Sequence, residues 1–159
     1  MTIRTSEKRD IPKIMDLLDQ VHDLHFKGRP DIFVDGITKY SPEEVEKIMS
    51  DDKSPIYVAV DEKNNVLGYA FCIIKENEGG ISMTDIKTMY LDDLCVDKKH
   101  RKQGMGKMLF DYVCDKAKEL GCYHVTLNVW TLNDEALGFY KSCGMAPMKV
   151  VMEKIVTKK

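Results

Sequence analysis

Arg101-Lys102-Gln103-Gly104-Met105-Gly106 places two cations and two glycines directly ahead of an apolar repeat with helical spacing. Backbone N–H groups at such a helix start converge on an anion at the positive end of the helix dipole. Glycine at 104 and 106 lets the main chain approach that anion with no Cβ in the way. Arg101 and Lys102 add charge suited to a phosphate. The segment is neither of the common phosphate loops. A Walker loop needs GxxxxGK[ST], and the dinucleotide fingerprint GxGxxG fails because position 109 is Leu. Taken alone, the loop fits a phosphate site and a plain glycine-rich helix start with solvated lysines equally well.

Other chemistries find less support. Cys72, Cys95, Cys114, Cys122 and Cys143 are scattered, odd in number and without CxxC spacing, which argues for reduced, mostly buried thiols over a disulfide framework or a zinc site. His22, His25, His100 and His124 form no HxxxH or HExxH pair, so no metal is expected. Lys plus Arg number 24 against 26 Asp plus Glu, a net charge of -2, which argues against a general nucleic-acid-binding surface. No apolar run approaches the ~20 residues of a membrane-spanning helix. The start, MTIRTSEKRDIPK, lacks the apolar segment of a signal peptide, so a cytoplasmic location is the expectation.

The elements that must position the loop can be read along the chain. With 159 residues, 43% of them hydrophobic, a single domain over 1–159 is expected. Residues 2–5 alternate as a short strand. Ser6 or Asp10 can cap a helix in which Ile11, Ile14, Leu17, Leu18, Val21 and Leu24 form one face to about His25, before Lys27-Gly28-Arg29-Pro30 breaks it. Ser41-Pro42-Glu43-Glu44 opens a short helix to about Met49. Ile56–Val60, Val66–Ile74 and a long run from Met83 to Val96 read as a three-stranded meander, with a loop at Glu76–Gly80. A helix from Gly104 to Leu120, a strand Cys122–Val129, a helix Asp134–Ser142 capped by Asn133 and a last strand Met148–Val156 follow. Strand–helix–strand–helix–strand after a meander gives an α/β (α+β) domain: a mixed, twisted sheet of about six to seven strands with about four flanking helices.

Two motifs in register carry a family resemblance. Arg101, Gly104 and Gly106 match R/Q-x-x-G-x-G/A after the strand Leu94-Cys95-Val96. Asn133, Ala136, Phe139 and Tyr140, closed by Gly144-Met145, match N-x-x-A-x-x-F-Y followed by a glycine and an apolar residue. Together they resemble the GNAT superfamily of acetyl-CoA-dependent N-acetyltransferases, in a small bacterial type, and the element pattern fits along nearly the whole chain.

The resemblance implies a cosubstrate and roles. Acetyl-CoA would place its pyrophosphate on Arg101, Lys102, Gln103, Gly104, Met105 and Gly106. Its pantetheine arm would pair with the backbone of Leu94, Cys95 and Val96 where that strand splays at a bulge, with Asn133 in contact. Acetyl transfer would go directly to a primary amine, and Cys95 would pack rather than attack. Tyr140 would be the general acid toward the departing sulfur, since phenol and thiol have comparable reference pKa values. Tyr90-Leu91-Asp92-Asp93-Leu94 resembles the YLED segment of polyamine-type members, which assigns Asp92 as base or amine anchor. Strict alternation would then put Asp92 and Asp93 on opposite sides, so that only one meets the acceptor. His25, Phe26, Phe33, Asp93 and Trp130 are the candidate acceptor-side residues. A non-catalytic acyl-CoA sensor or interaction module on the same fold is the competing reading. The β-rich end Met148–Val156 could supply a homodimer interface.

Overall fold

A computed structural model of the chain describes residues 1–76 and 80–157, so residues 77–79 of the expected Glu76–Gly80 loop lie outside it. Its elements, in chain order, are β1 (Thr2–Thr5), α1 (Ile11–Gly28), α2 (Pro42–Met49), β2 (Ile56–Val60), β3 (Val66–Lys75), β4 (Thr88–Val96), α3 (Met105–Glu119), β5 (His124–Thr126) and α4 (Asp134–Ser142). The strands form one sheet in sequence order, antiparallel from β1 to β4 and parallel between β4 and β5. This is the expected mixed sheet with flanking helices, with five strands where six or seven were anticipated. No described helix is long and apolar enough to cross a membrane.

Helices cover both faces, which is why β2 is buried along its whole length although it is antiparallel to both neighbours. Ile14, Leu17 and Leu18 of α1 and Val45 of α2 pack with Val58, Tyr69 and Phe71 on one face. Met105, Leu109, Phe110 and Val113 of α3 pack with Tyr57, Ala70, Cys72 and Leu91 on the other. The start of α1 is held differently from the cap expected at Asp10, whose side chain caps no N–H of that helix. Arg4 of β1 instead donates to both Asp10 oxygens at 2.7 and 3.0 Å, and the Glu7 N–H donates to Oδ2 at 2.7 Å. Against the cost of its burial, Arg4 and that N–H hold the Asp10 carboxyl below its ordinary range. Ser41 starts α2 as expected and closes a capping box, accepting from the Glu44 N–H while Glu44 accepts from the Ser41 N–H.

Four boundaries differ from expectation. The first helix runs on to Gly28, β4 begins at Thr88 instead of Met83, and β5 is three residues long instead of eight. Met148–Val156 forms no strand; Val150, Val151 and Met152 are 74%, 88% and 85% exposed. A strand needs a ladder to join, and β5 offers too short an edge.

Gly68 sets how closely β3 approaches the end of β4. A Cβ there would meet the Cys95 carbonyl oxygen at 2.7 Å and Leu109 at 3.2 Å. Gly68→Ala should therefore lower the unfolding free energy by about 1–3 kcal/mol in urea titration, as overpacking does. Gly138→Ala, at a helical site with open space around it, should raise it by up to ~1 kcal/mol.

Candidate active site

A bulge in β4 decides which way its carboxylates point. The β3–β4 register passes from Phe71↔Asp93 to Cys72↔Leu91, leaving Asp92 without a partner on β3. One extra residue resets the alternation of a strand. Before it, Met89 and Leu91 pack on the α3 side; after it, Cys95 packs on the α1 side and Leu94 and Val96 turn toward α3. Asp92 and Asp93 consequently share the α1–α2 side, which corrects the expectation of opposite faces.

Each carboxylate has its own partners. Asp92 Oδ2 accepts from the Tyr40 hydroxyl at 2.6 Å and from the Lys39 ammonium at 2.8 Å. Tyr40 in turn stacks on Phe71, ring centroids 5.5 Å apart. Asp93 Oδ2 accepts from the buried Tyr69 hydroxyl at 3.1 Å. Some of Asp93 opens into the cleft, yet burial pushes its carboxyl up to about 6, against the pull of the Lys39 charge and the Tyr69 hydrogen bond. The sequence singles out none of Lys39, Tyr40 and Tyr69 as carboxylate contacts. Their pairings span 53, 52 and 24 positions, and no local spacing signals them.

Beside the carboxylates the sheet opens. β4 and β5 pair only from Thr88–Tyr90 to His124–Thr126, so from Leu91 onward the β5-side edge of β4 has no ladder partner among the described residues. Leu94, Cys95 and Val96 lie along that free edge. The Cys95 thiol points away from it, donating to the Leu17 carbonyl at 3.6 Å.

The glycine loop follows directly. Asp97, only 4% exposed, is held by Lys13 of α1 at 2.5 Å and accepts from the Lys99 N–H at 3.0 Å, which fixes where the loop leaves the sheet. Lys102 and Gly104 both adopt left-handed backbone, φ 61° and 80°. Gly104 precedes α3, and as the cap residue it brings no side chain to the first N–H groups of that helix. Gly104 serves the turn; Gly106 has no left-handed backbone, and a Cβ there would make ordinary contact with the Phe139 ring at 3.4 Å. Arg101 bends back to donate to the Val96 carbonyl at 3.1 Å. Left-handed turn, uncapped helix start and exposed cations suit a pyrophosphate, and the free edge of β4 suits an extended amide-bearing arm.

On the opposite wall, Asn133 caps α4 as expected, accepting from the Ala136 N–H at 3.0 Å. Tyr140 packs edge-on to Phe110 at 6.0 Å. Burial first, and the charge of Asp93 second, push its phenol well above the ordinary range, so it holds its proton at neutral pH. Near the acceptor end, His25 stacks on Phe33 at 5.1 Å, and Phe33 meets Trp130 edge-on at 5.2 Å. Burial lowers the His25 pKa, keeping the ring neutral. An open cleft of about 2670 Å³ joins all of these, its lining including Phe33, Asp92, Leu94, Gly104, Trp130 and Tyr140. Phe26 and Gln103 do not line it. No group of three or more metal-ligating side chains occurs among the described residues.

Known proteins share this fold. A mutant BH1408 protein from Bacillus halodurans superposes with a TM-score of 0.94 at 31% identity, covering 99% of this chain and 100% of that one. Glucosamine-6-phosphate N-acetyltransferase from Arabidopsis thaliana superposes with a TM-score of 0.69 at 26% identity, covering 98% of each chain. In sequence the chain is 30% identical over 103 residues to a peptidyl-lysine N-acetyltransferase of Salmonella typhimurium, 64% of this chain and 58% of that protein. It is 32% identical over 68 residues to the Arabidopsis enzyme, 43% of this chain and 44% of that protein. The chain thus spans about half the length of the curated relatives it matches. The pattern of the Acetyltransferase (GNAT) family matches residues 18–145, from α1 through the turn after α4. The chain belongs to the acetyltransferase (GNAT) family.

Proposed function

We propose that this chain moves an acetyl group from acetyl-CoA directly to a cationic primary amine. The observation that carries the reading is the bulge: two carboxylates stand at the point where β4 and β5 part, with a protonated phenol on the facing wall. Arg101, Lys102 and the first turn of α3 would hold the pyrophosphate, and the free edge from Leu94 to Val96 the pantetheine arm. When bound there, acetyl-CoA supplies an activated acetyl thioester. Asp92 anchors the incoming ammonium. Asp93 takes a proton from it, because a carboxylate titrating near 6 is a better matched base at neutral pH than an ordinary one. Tyr140 delivers its hydroxyl proton to the departing sulfur. His25, Phe33 and Trp130 would flank the acceptor's apolar stem. The names of the relatives supply a first panel of amines: glucosamine 6-phosphate and peptide lysines. Two adjacent carboxylates favour the lysine-like amine over a sugar that carries phosphate.

Isothermal titration with acetyl-CoA, joined to a thiol-release assay over that panel, polyamines and aminoglycosides, tests the reading. Binding with release on one amine class is the expected result. Binding without release would instead favour a sensor, and no binding would overturn both. Tyr140→Phe should cut kcat by roughly 10²-fold or more while acetyl-CoA still binds.

Asp93→Asn should separate chemistry from stability. The folded state binds the Asp93 proton more tightly than the unfolded chain, whose carboxyl titrates near 3.8. That contribution is complete below about pH 4 and is lost as pH rises through about 6. Asn removes the loss. The variant should gain on the order of 2 kcal/mol relative to the parent at pH 8, and nothing at pH 4, in urea unfolding. Its kcat/KM should fall and lose the rise through pH 6. Unchanged activity with that gain in stability would take Asp93 out of the chemistry.

A further inference from the structure

The amine that touches Asp92 in this structure belongs to the chain itself. Lys39 Nζ lies 2.8 Å from Asp92 Oδ2 and 3.2 Å from the Asp92 carbonyl oxygen. Asp92 is the bulge residue, at the head of the free edge of β4. The Lys39 charge also acts on Asp93 through space, so the field of one alkylammonium reaches both carboxylates of the site. Stability alone gives little reason for this contact. The Lys39 side chain is 43% exposed, and an ion pair so open to water contributes at most ~1 kcal/mol. Tyr40 already satisfies the same carboxylate oxygen. What Lys39 does match is the chemistry of an acceptor: a primary amine on an apolar stem, entering from the α1–α2 side and ending on the anchoring carboxylate.

We propose that Lys39 is an internal acceptor, and that the chain acetylates itself there when no external amine is present. The inference rests on the acetyl-transfer reading above. The Lys39 ammonium first gives a proton to the carboxylate pair. Its free amine then attacks the thioester carbonyl carbon, a C–N bond forms and the C–S bond breaks. The nitrogen loses its second proton, and the sulfur leaves with one, so that ammonium plus thioester become amide, thiol and one released proton. Tethering supplies the high local concentration that a dissolved amine lacks. The product amide carries no charge and cannot keep the ion pair with Asp92. Acetylation of Lys39 therefore clears the anchor for an external amine.

The test incubates the full chain with acetyl-CoA and no added amine, and maps acetyl-lysine by peptide mass spectrometry over time. Lys39 should be modified ahead of every other lysine, at a rate independent of protein concentration. Lys39→Arg should abolish that product. Asp92→Asn should slow it by roughly tenfold or more, the loss of a charge-assisted hydrogen bond. Pre-acetylated chain should show a lower KM for an external cationic amine, with little change in kcat. A readout without acetyl-CoA is trace labelling by acetic anhydride, in which Lys39 should be several-fold more reactive in Asp92→Asn than in the parent. Equal reactivity there, or acetylation spread evenly over the lysines, would overturn the proposal. Acetyl-CoA binding and turnover of an external amine with Lys39 untouched would overturn it and leave the proposed function standing. Absence of acetyl-CoA binding would overturn both.

Discussion

Asp92 stands in β4 with no residue opposite it on β3, and the chain on either side keeps its ladder. An unpaired residue of this kind costs local hydrogen bonding and bends the strand. Here it does two further things. It transfers Asp93 and Cys95 from the α3 side of the sheet to the α1 side, so that two neighbouring acids share one face. It also falls just beyond Tyr90, the last β4 residue paired to β5, so the acids stand at the head of the opening. A strand with regular alternation would have sent Asp93 into the apolar layer of Cys72, Leu91 and Phe110, where a carboxylate has no partner and the burial cost is prohibitive.

The rest of the architecture keeps that strand in place. Two helices close each face of the sheet, and the polar ties lie at its corners. Arg4 binds Asp10 to join β1 to the start of α1, and Lys13 binds Asp97 to join α1 to the end of β4. Both carboxylates are only 4% exposed. Removing the cation leaves a largely buried carboxylate short of a donor, which costs more than breaking a pair exposed on both sides. The ties therefore fix the angle at which β4 hands the chain to the glycine loop, and the site inherits its rigidity from them.

Much of this was legible in the residues. The apolar spacing of α1 and α3, the Ser41 start signal, the Asn133 cap and the paired motifs around Gly104 and Tyr140 are local signals, and they led to the right elements in the right order. Less legible was whatever depends on pairing at a distance. The bulge at Asp92 is a property of the β3–β4 register and has no composition of its own. Lys39 and Tyr40 sit in a stretch without periodicity, and only the fold brings them to Asp92. The end of the chain misled in the opposite way: Met148–Val156 has the β-rich composition of a strand, but composition provides no ladder partner. Gly106 looked like Gly104 in sequence, yet only Gly104 takes a left-handed turn.

Cys95 bears on chemoselectivity. A protein that presents an acetyl thioester beside its own cysteine invites transthioesterification, which would divert the acyl group into a dead-end adduct. The bulge turns this side chain toward Leu17, and burial pushes its thiol up to about 12. At neutral pH the nucleophilic thiolate is then on the order of one part in 10⁵. The same single-residue insertion that turns both acids to the α1–α2 side thus turns the sulfur away from the free edge of β4.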